Sequence, residues 1–335
     1  MGIHKQKKRW DISTLPNVLF TLLVCVVCWI LGYQNRIGFP LENSDKVTIL
    51  WDIVCGFFTD RDYTYFVGFV LLVLSAALIQ RFNFRFVICR GKTVLPFLFF
   101  LFLNSVNPDF FPIRPVSIAI FPILFTLFEL FGSYQNPTAV SKIFNMMFFL
   151  CAGSLFFPFM LWFIPVFWIG MYQFRILDMR SFLASLLGIF TFFLLLSGWS
   201  IWKHDWAVFA NIADCLSDYR MVFANKSLYV DWIKPLCFFI VMLVLFFYIS
   251  SQENEQSIRT RQFLTFLFLF CLYTFILFLF YTHTFADFEM MFYLPASLLA
   301  AYSFSGKGGV ISFIIYYVIL IVLIAFLLMR LWNFL

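Results

Sequence analysis

The stretch IFNMMFFLCAGSLFFPFMLWFIPVFWIGMYQF, Ile143 to Phe174, runs for 32 residues without a charge. A helix rises about 1.5 Å per residue and the hydrocarbon core of a bilayer is about 30 Å thick, so about 20 apolar residues make one crossing. This run is too long for a single span, and Pro158 and Pro165 punctuate it. Lys142 and Arg175 bound it, and basic residues that share one side of a membrane require an even number of crossings between them. The sequence therefore predicts two short arms joined by a tight turn at Phe157 and Pro158.

The rest of the chain has the same character. Of its 335 residues 63% are hydrophobic and 12% charged, with 52 Phe, and its mean hydropathy is +0.93. A soluble domain is about half apolar and a quarter charged, so a soluble globular protein is excluded. Apolar segments read as spans at about 18–33, 64–80, 94–106, 116–131, 143–157, 158–174, 182–200, 235–250, 263–281, 288–304 and 310–329. The expected fold is an all-α polytopic membrane protein of about eleven transmembrane helices, some short or broken, forming one integral domain over residues 1–335.

Charge orients it. With the N-terminus in the cytoplasm, fourteen of the 23 Lys and Arg fall in inner connectors, and twelve of the 17 Asp and Glu fall outside. The basic residues lie in connectors and form no groove-like patch, which argues against a nucleic-acid partner. A basic start before an apolar run also opens a signal peptide, but no small-x-small site follows Gly32, so an uncleaved first helix is read. The eight Cys lie mostly in apolar runs and define no disulfide framework; Cys55 and Cys215 are the pair expected to share the outer face.

Two outer loops are long, 34–63 and 201–234. In the first, Val47, Leu50, Trp51, Val54 and Phe58 recur at helical spacing and predict an amphipathic interfacial helix. The second is rich in aromatic residues suited to interfacial anchoring, among them Trp202 and Trp206. Val94 to Val106 is about 13 residues, too short to cross, and it ends in Asn104, Ser105 and Asn107. Polar backbone that stops at membrane depth must be covered by protein or face a water-filled cavity.

Candidate chemistry follows from placement. Asp60 and Asp62 flank Arg61 just before the second span, where two carboxylates can act as base on a bound hydroxyl or hold a cation. Acidic residues at a helix start are also favoured by its dipole. In Asn107-Pro-Asp-Phe-Phe-Pro-Ile-Arg-Pro115, a rigid turn carries Asp109 and presents Arg114, suited to a phosphate or to pairing with Asp109. His204 and His283 have carboxylates nearby and are candidates for substrate binding, although loop histidines are commonly just solvated. Glu129 is an acid inside an apolar run, close enough to its end to reach the interface. The abundant Phe reads as interchangeable lipid-facing bulk. No metal site is expected, and the residues name no cofactor.

The stretch AGSLFFPFMLWFIPVFWIGMYQFRILDMRSFLASLLGIF, residues 152–190, resembles an uncharacterised polytopic inner-membrane family of Bacteroidetes, with the resemblance extending from about Asn104 to Trp199. In outline the chain is also similar to the GT-C class of lipid-linked glycosyltransferases: cytoplasmic N-terminus, a large first outer loop with an amphipathic helix and acidic residues, then paired short helices. That class often places its acidic motif earlier in the loop than Asp60 and Asp62, and commonly adds a larger C-terminal outer domain. The likeness implies a bacterial inner-membrane enzyme using a polyprenyl-phosphate sugar at the periplasmic face, with Asp60, Asp62 or Asp109 as catalytic groups. The rival expectation is a transporter or assembly component without enzymatic activity.

Overall fold

The computed structural model describes residues 15–34, 49–57, 60–89, 91, 93–107, 110–136, 138–204, 206–217, a set of helical positions between 236 and 250, 257–281 and 284–305. The described residues are all-helical, with no extended strand among them. The helices are α1 Leu15–Gln34, α2 Ile49–Phe57, α3 Arg61–Phe86, α4 Leu95–Val106, α5 Pro115–Gly132, α6 Val140–Gly153, α7 Ile164–Gln173, α8 Met179–Lys203, α9 Ala207–Ser217, α10 Ile258–Phe280 and α11 Phe285–Phe304. Among them α1, α3, α5, α8 and α10 are long and apolar enough to cross a membrane. The protein is a multi-pass helical membrane protein. The segment expected to span at 310–329 lies outside the described residues, and 235–250 is described only at scattered helical positions.

From α3 to α8 successive helices alternate in direction, which gives the bundle two ends. The Asp60 face gathers the start of α3, the turn between α4 and α5, and the start of α11. The Arg85 face gathers the opposite ends. There Gln135 N–H donates to Phe174 O at 3.3 Å, and the Gln173 side chain donates to Gln262 O at 3.0 Å, tying α5, α7 and α10.

The uncharged run from Ile143 folds as a broken hairpin. α6 ends at Gly153, and the return arm begins with a 3₁₀ turn, Pro158–Phe163, before α7. Proline suits the first position of such a turn because it donates no N–H. Gly153 packs closely here: a Cβ on it would lie 2.2 Å from the Met160 sulfur, so that side chain would have to move. Both arms are too short to cross a bilayer as regular helices, and the pair packs against α5 and α8.

α4 is the centre of the fold. It is enclosed by α1, α3 and α11, and every one of its twelve residues except Phe97 is buried. Phe does not serve only as lipid-facing bulk, and that expectation is corrected. Phe82, Phe131, Phe174, Phe263 and Phe266 are wholly buried and meet in tilted and edge-to-face pairs 4.3–5.8 Å apart. A ring's negative face attracts another ring's edge, so packed Phe locks helices more specifically than aliphatic bulk does.

A helix, α2, is present before α3 within the stretch 47–58 where one was expected. Trp51 is buried and Leu50 and Val54 half-buried, while Ile53 and Phe57 are exposed. The second long loop contains α9, whose Val208, Ile212 and Cys215 are buried.

Candidate functional site: a buried acid pair grasped by a proline turn

α4 stops at Val106, and the chain turns through residues 107–114 into α5. Within it Asn107 and Phe110 to Ile113 are buried. Phe111 is wholly buried, its ring 4.9 Å from that of Trp29 on α1. Its backbone rests on α3 at Gly68, where a Cβ would come within 2.7 Å of Phe111 O. A Cβ at Gly32 of α1 would sit 2.0 Å from the Phe111 ring. Two glycines on neighbouring helices therefore open the slot this turn fills.

Gly68 lies six residues beyond Asp62 along α3, about 9 Å at helical rise. Between them Tyr63 and Phe66 project outward with about two thirds of their surface exposed. The turn thus packs about two helical turns in from the start of α3, a membrane-spanning helix by its length and composition. Irregular backbone at that depth is tolerated only where protein encloses it or a cavity opens beside it.

Polar side chains at the two ends of the turn reach α11. Arg114 Nε donates to Asp287 Oδ1 at 2.8 Å, the side chains being 27% and 9% exposed. Asn107 Nδ2 donates to Glu289 Oε2 at 2.7 Å, and the other oxygen of Glu289 accepts from Tyr293 O–H one helical turn on. Residues two apart on a helix do not face each other, whereas residues four apart do. That spacing is why Asp287 and Glu289 take different partners while Glu289 and Tyr293 share one bond. The Ser117 hydroxyl accepts from Arg114 N–H at 3.3 Å, holding the start of α5 against the same turn.

The amide of Asn104 donates to Phe100 O at 2.8 Å, and its oxygen is buried with no partner among the described residues. Next to it in sequence, the Ser105 hydroxyl accepts from Trp29 Nε1 at 3.2 Å. Beside Glu289, a narrow crevice between α10 and α11 is lined by Thr274, Phe278, Phe292 and Tyr293, with room for about one water molecule.

The predicted site residues are distributed as follows. Arg114 is bound to Asp287 and so belongs to this cluster. Asp60 and Asp62 are exposed at the start of α3 on the same face. Asp62 accepts from Tyr33 O–H at 2.7 Å, and the Arg61 guanidinium lies 4.3 Å from the centre of the Tyr33 ring. Asp60 stands at the N-cap position of α3, yet its side chain makes no capping bond. His204 is exposed at the end of α8 with φ at 53°, and no side-chain bond joins it to the cluster. Asp109 and His283 lie outside the described residues. Glu129 is half-buried near the Arg85 face, where Lys142 and Arg85 are its neighbouring charges. No cluster of three or more metal-binding side chains occurs among the described residues.

Glu289 and Tyr293 were not singled out by the sequence; Asn107 was read as part of the polar end of a segment too short to cross, and Asp287 only as a carboxylate near His283. A signal was present in the spacing Asp-Phe-Glu-Met-Met-Phe-Tyr at the start of an apolar run, since an acid that begins a span must find a partner inside the bundle.

These features define the class: a polytopic helical membrane protein with a buried ionic and amide cluster near one face. No family model, curated protein or solved structure matches the chain.

Proposed function

We propose that the protein is a membrane-embedded transferase that moves a sugar from a polyprenyl-linked phosphate donor to an acceptor at the periplasmic face of a bacterial inner membrane. In this reading Asp60 or Asp62 takes the proton from an acceptor hydroxyl, the hydroxyl oxygen attacks the anomeric carbon, and the polyprenyl phosphate leaves. Arg114, held by Asp287, offers charge toward the departing phosphate. The observation that supports it is Asp60: a carboxylate at a helix N-cap that caps nothing and faces outward beside a second carboxylate is available for chemistry. Asp62 is oriented by the Tyr33 hydroxyl.

The test compares surface glycans by mass spectrometry in a deletion strain carrying the wild-type gene, Asp60→Asn or Asp62→Asn. Asn keeps volume and removes charge, so membrane insertion is retained and the glycan product should disappear. Glycans unchanged by deletion of the gene would refute the transferase.

A second reading, a transporter or assembly component without catalysis, is supported by a different observation. The buried acids Asp287 and Glu289 are bonded within the chain, and the crevice beside Glu289 is too small for a sugar. It predicts normal glycans from both Asn variants and a defect from disruption of the Arg114–Asp287 pair.

A further inference from the structure

The Arg85 face carries a patch that the proposed reaction does not use. Arg85, Arg175, Arg180 and Arg259 are all exposed there. The Arg85 guanidinium lies 5.7 Å from the centre of the Phe86 ring, and that of Arg259 lies 5.2 Å from the centre of the Phe263 ring. Those two rings belong to one cluster, 6.0 Å apart, which also holds Phe131 and Phe174. The buried Phe cluster thus gathers the ends of α3, α5, α7 and α10 into a single surface rimmed by arginine.

Two features of this rim are unexplained by the described residues. No ion pair joins Arg175, Arg180 or Arg259 to an acid among the described residues. Arg180 and Arg259 also occupy the first turns of α8 and α10, where the helix dipole disfavours a cation, and Arg175 takes a left-handed conformation with φ at 57°. Asp178, at the N-cap of α8, is the one exposed acid among the described residues 171–180, and an anion bound at the rim would offset the cost of cations placed at these helix starts.

The setting identifies the anion's carrier. Exposed apolar side chains interleave with the arginines: Tyr172 and Met179 around Arg175 and Arg180, and Ile258 beside Arg259, each at least 66% exposed. A soluble phosphate gains nothing from such neighbours. A phospholipid does, because its tails meet the apolar groups while its phosphate meets the guanidinium fork.

We infer that this rim is a binding surface for anionic phospholipid headgroups, with Arg175, Arg180 and Arg259 as its phosphate-binding residues. It stands independently of the transferase reading. The test is a lipid titration of the full chain in detergent, followed by native mass spectrometry, with phosphatidylglycerol, phosphatidylcholine and inorganic phosphate as separate arms. Phosphatidylglycerol should bind more tightly than phosphatidylcholine, and the preference should weaken with added salt. Each of Arg175→Gln, Arg180→Gln and Arg259→Gln should weaken phosphatidylglycerol about fivefold, equivalent to about 1 kcal/mol per charge, and leave phosphatidylcholine unchanged. Equal binding of the two lipids, or a preference that survives the triple variant, overturns the inference. Displacement of phosphatidylglycerol by equimolar inorganic phosphate overturns it in favour of a soluble-anion site. These side chains are exposed, and an unchanged melting temperature of the variants in detergent verifies their folding.

Discussion

Arg114 Nε and Asp287 Oδ1 lie 2.8 Å apart across 173 residues of sequence, and this pair fixes the proline turn against the start of α11. The Asn107–Glu289 bond does the same at the other end of the turn. The turn is therefore clamped at both ends onto one helix, with Phe111 driven between α1 and α3 in the middle.

Breaking the pair from one side should cost more than removing it. Asp287→Asn leaves a half-buried guanidinium short of its charge partner, and Arg114→Gln leaves a buried carboxylate. Because Arg114 keeps some exposure, each loss is expected at about 1–3 kcal/mol, below the range for a fully buried pair. The double variant should be less destabilised than the two single losses added, with a coupling of about 0.5–3 kcal/mol. Unfolding of detergent-solubilised variants followed by circular dichroism measures this, and strict additivity would mean the two side chains do not interact.

Tyr293→Phe tests the other half of the clamp. It removes the hydroxyl that donates to Glu289 and leaves the ring packing almost intact. A buried acceptor that loses its donor costs about 1–3 kcal/mol. A variant as stable as the wild type would show that Glu289 is held by other groups.

The sequence disclosed the parts of this fold that depend on local composition. α4 was legible as a helix too short to cross, because its apolar run ends in Asn104 and Asn107 and physical length follows directly from residue count. The turn after Gly153 followed from charge parity and Pro158. The clamp was not legible, because Asn107 and Glu289 are 182 residues apart and nothing local in either sequence specifies the other. The role of Phe was misjudged for a related reason: a lipid-facing Phe and a core Phe are chemically identical, and only helix packing separates Phe263, wholly buried, from Phe190, largely exposed. α9 escaped notice because its aromatic flanks suggested an anchored loop. For Asp60 the sequence placed a carboxylate at a helix start, but whether it caps that helix is decided by side-chain torsion.

Glycine substitutions separate close packing from open surface. At Gly188 a Cβ would come within 2.6 Å of Phe144 O, a backbone atom that cannot swing aside. Gly188→Ala should therefore force α6 and α8 apart, at about 1–3 kcal/mol. Gly198 lies on the same helix with nothing within 4 Å of its would-be Cβ. Gly198→Ala should be neutral or stabilise by up to about 1 kcal/mol through helix propensity. A similar effect at both positions would contradict the packing of α6 on α8.

Burial pushes the Cys89 thiol, in the connector between α3 and α4, up to about 12. The thiolate is the reactive form, so maleimide at pH 8 should leave Cys89 unmodified in the folded protein and label it after denaturation. The linkage has a definite sign. Stability from keeping this thiol neutral is fully present below the unfolded thiol's range near pH 9, and is lost as pH rises toward 12. Half-buried Cys55 should react faster than Cys89 in the same sample, and mass spectrometry of the labelled peptides reads both.

The order of the described helices places the connector after α3 and the connector after α8 at opposite ends of the bundle. Six helices, α3 to α8, lie between Asp60 and His204, and the hairpin of α6 and α7 returns to the end it left. Val87 and Trp206 are 65% and 56% exposed, so a cysteine at either position should be accessible to a membrane-impermeant reagent from one side only. In a strain expressing a variant with its native cysteines removed, Trp206→Cys should label in intact cells and Val87→Cys only after the membrane is opened. The basis is electrostatic: connectors rich in Lys and Arg stay on the cytoplasmic side, and the connector 81–92 carries Arg81, Arg85, Arg90 and Lys92 without an acid. Labelling with the sides exchanged would keep the fold and invert its orientation, moving Asp60 and Asp62 to the cytoplasm and with them the proposed chemistry. Labelling of both positions from one side would break the alternation itself, since an even number of crossings between Phe86 and Trp206 cannot be drawn through helices packed as α3, α4, α5 and α8 are.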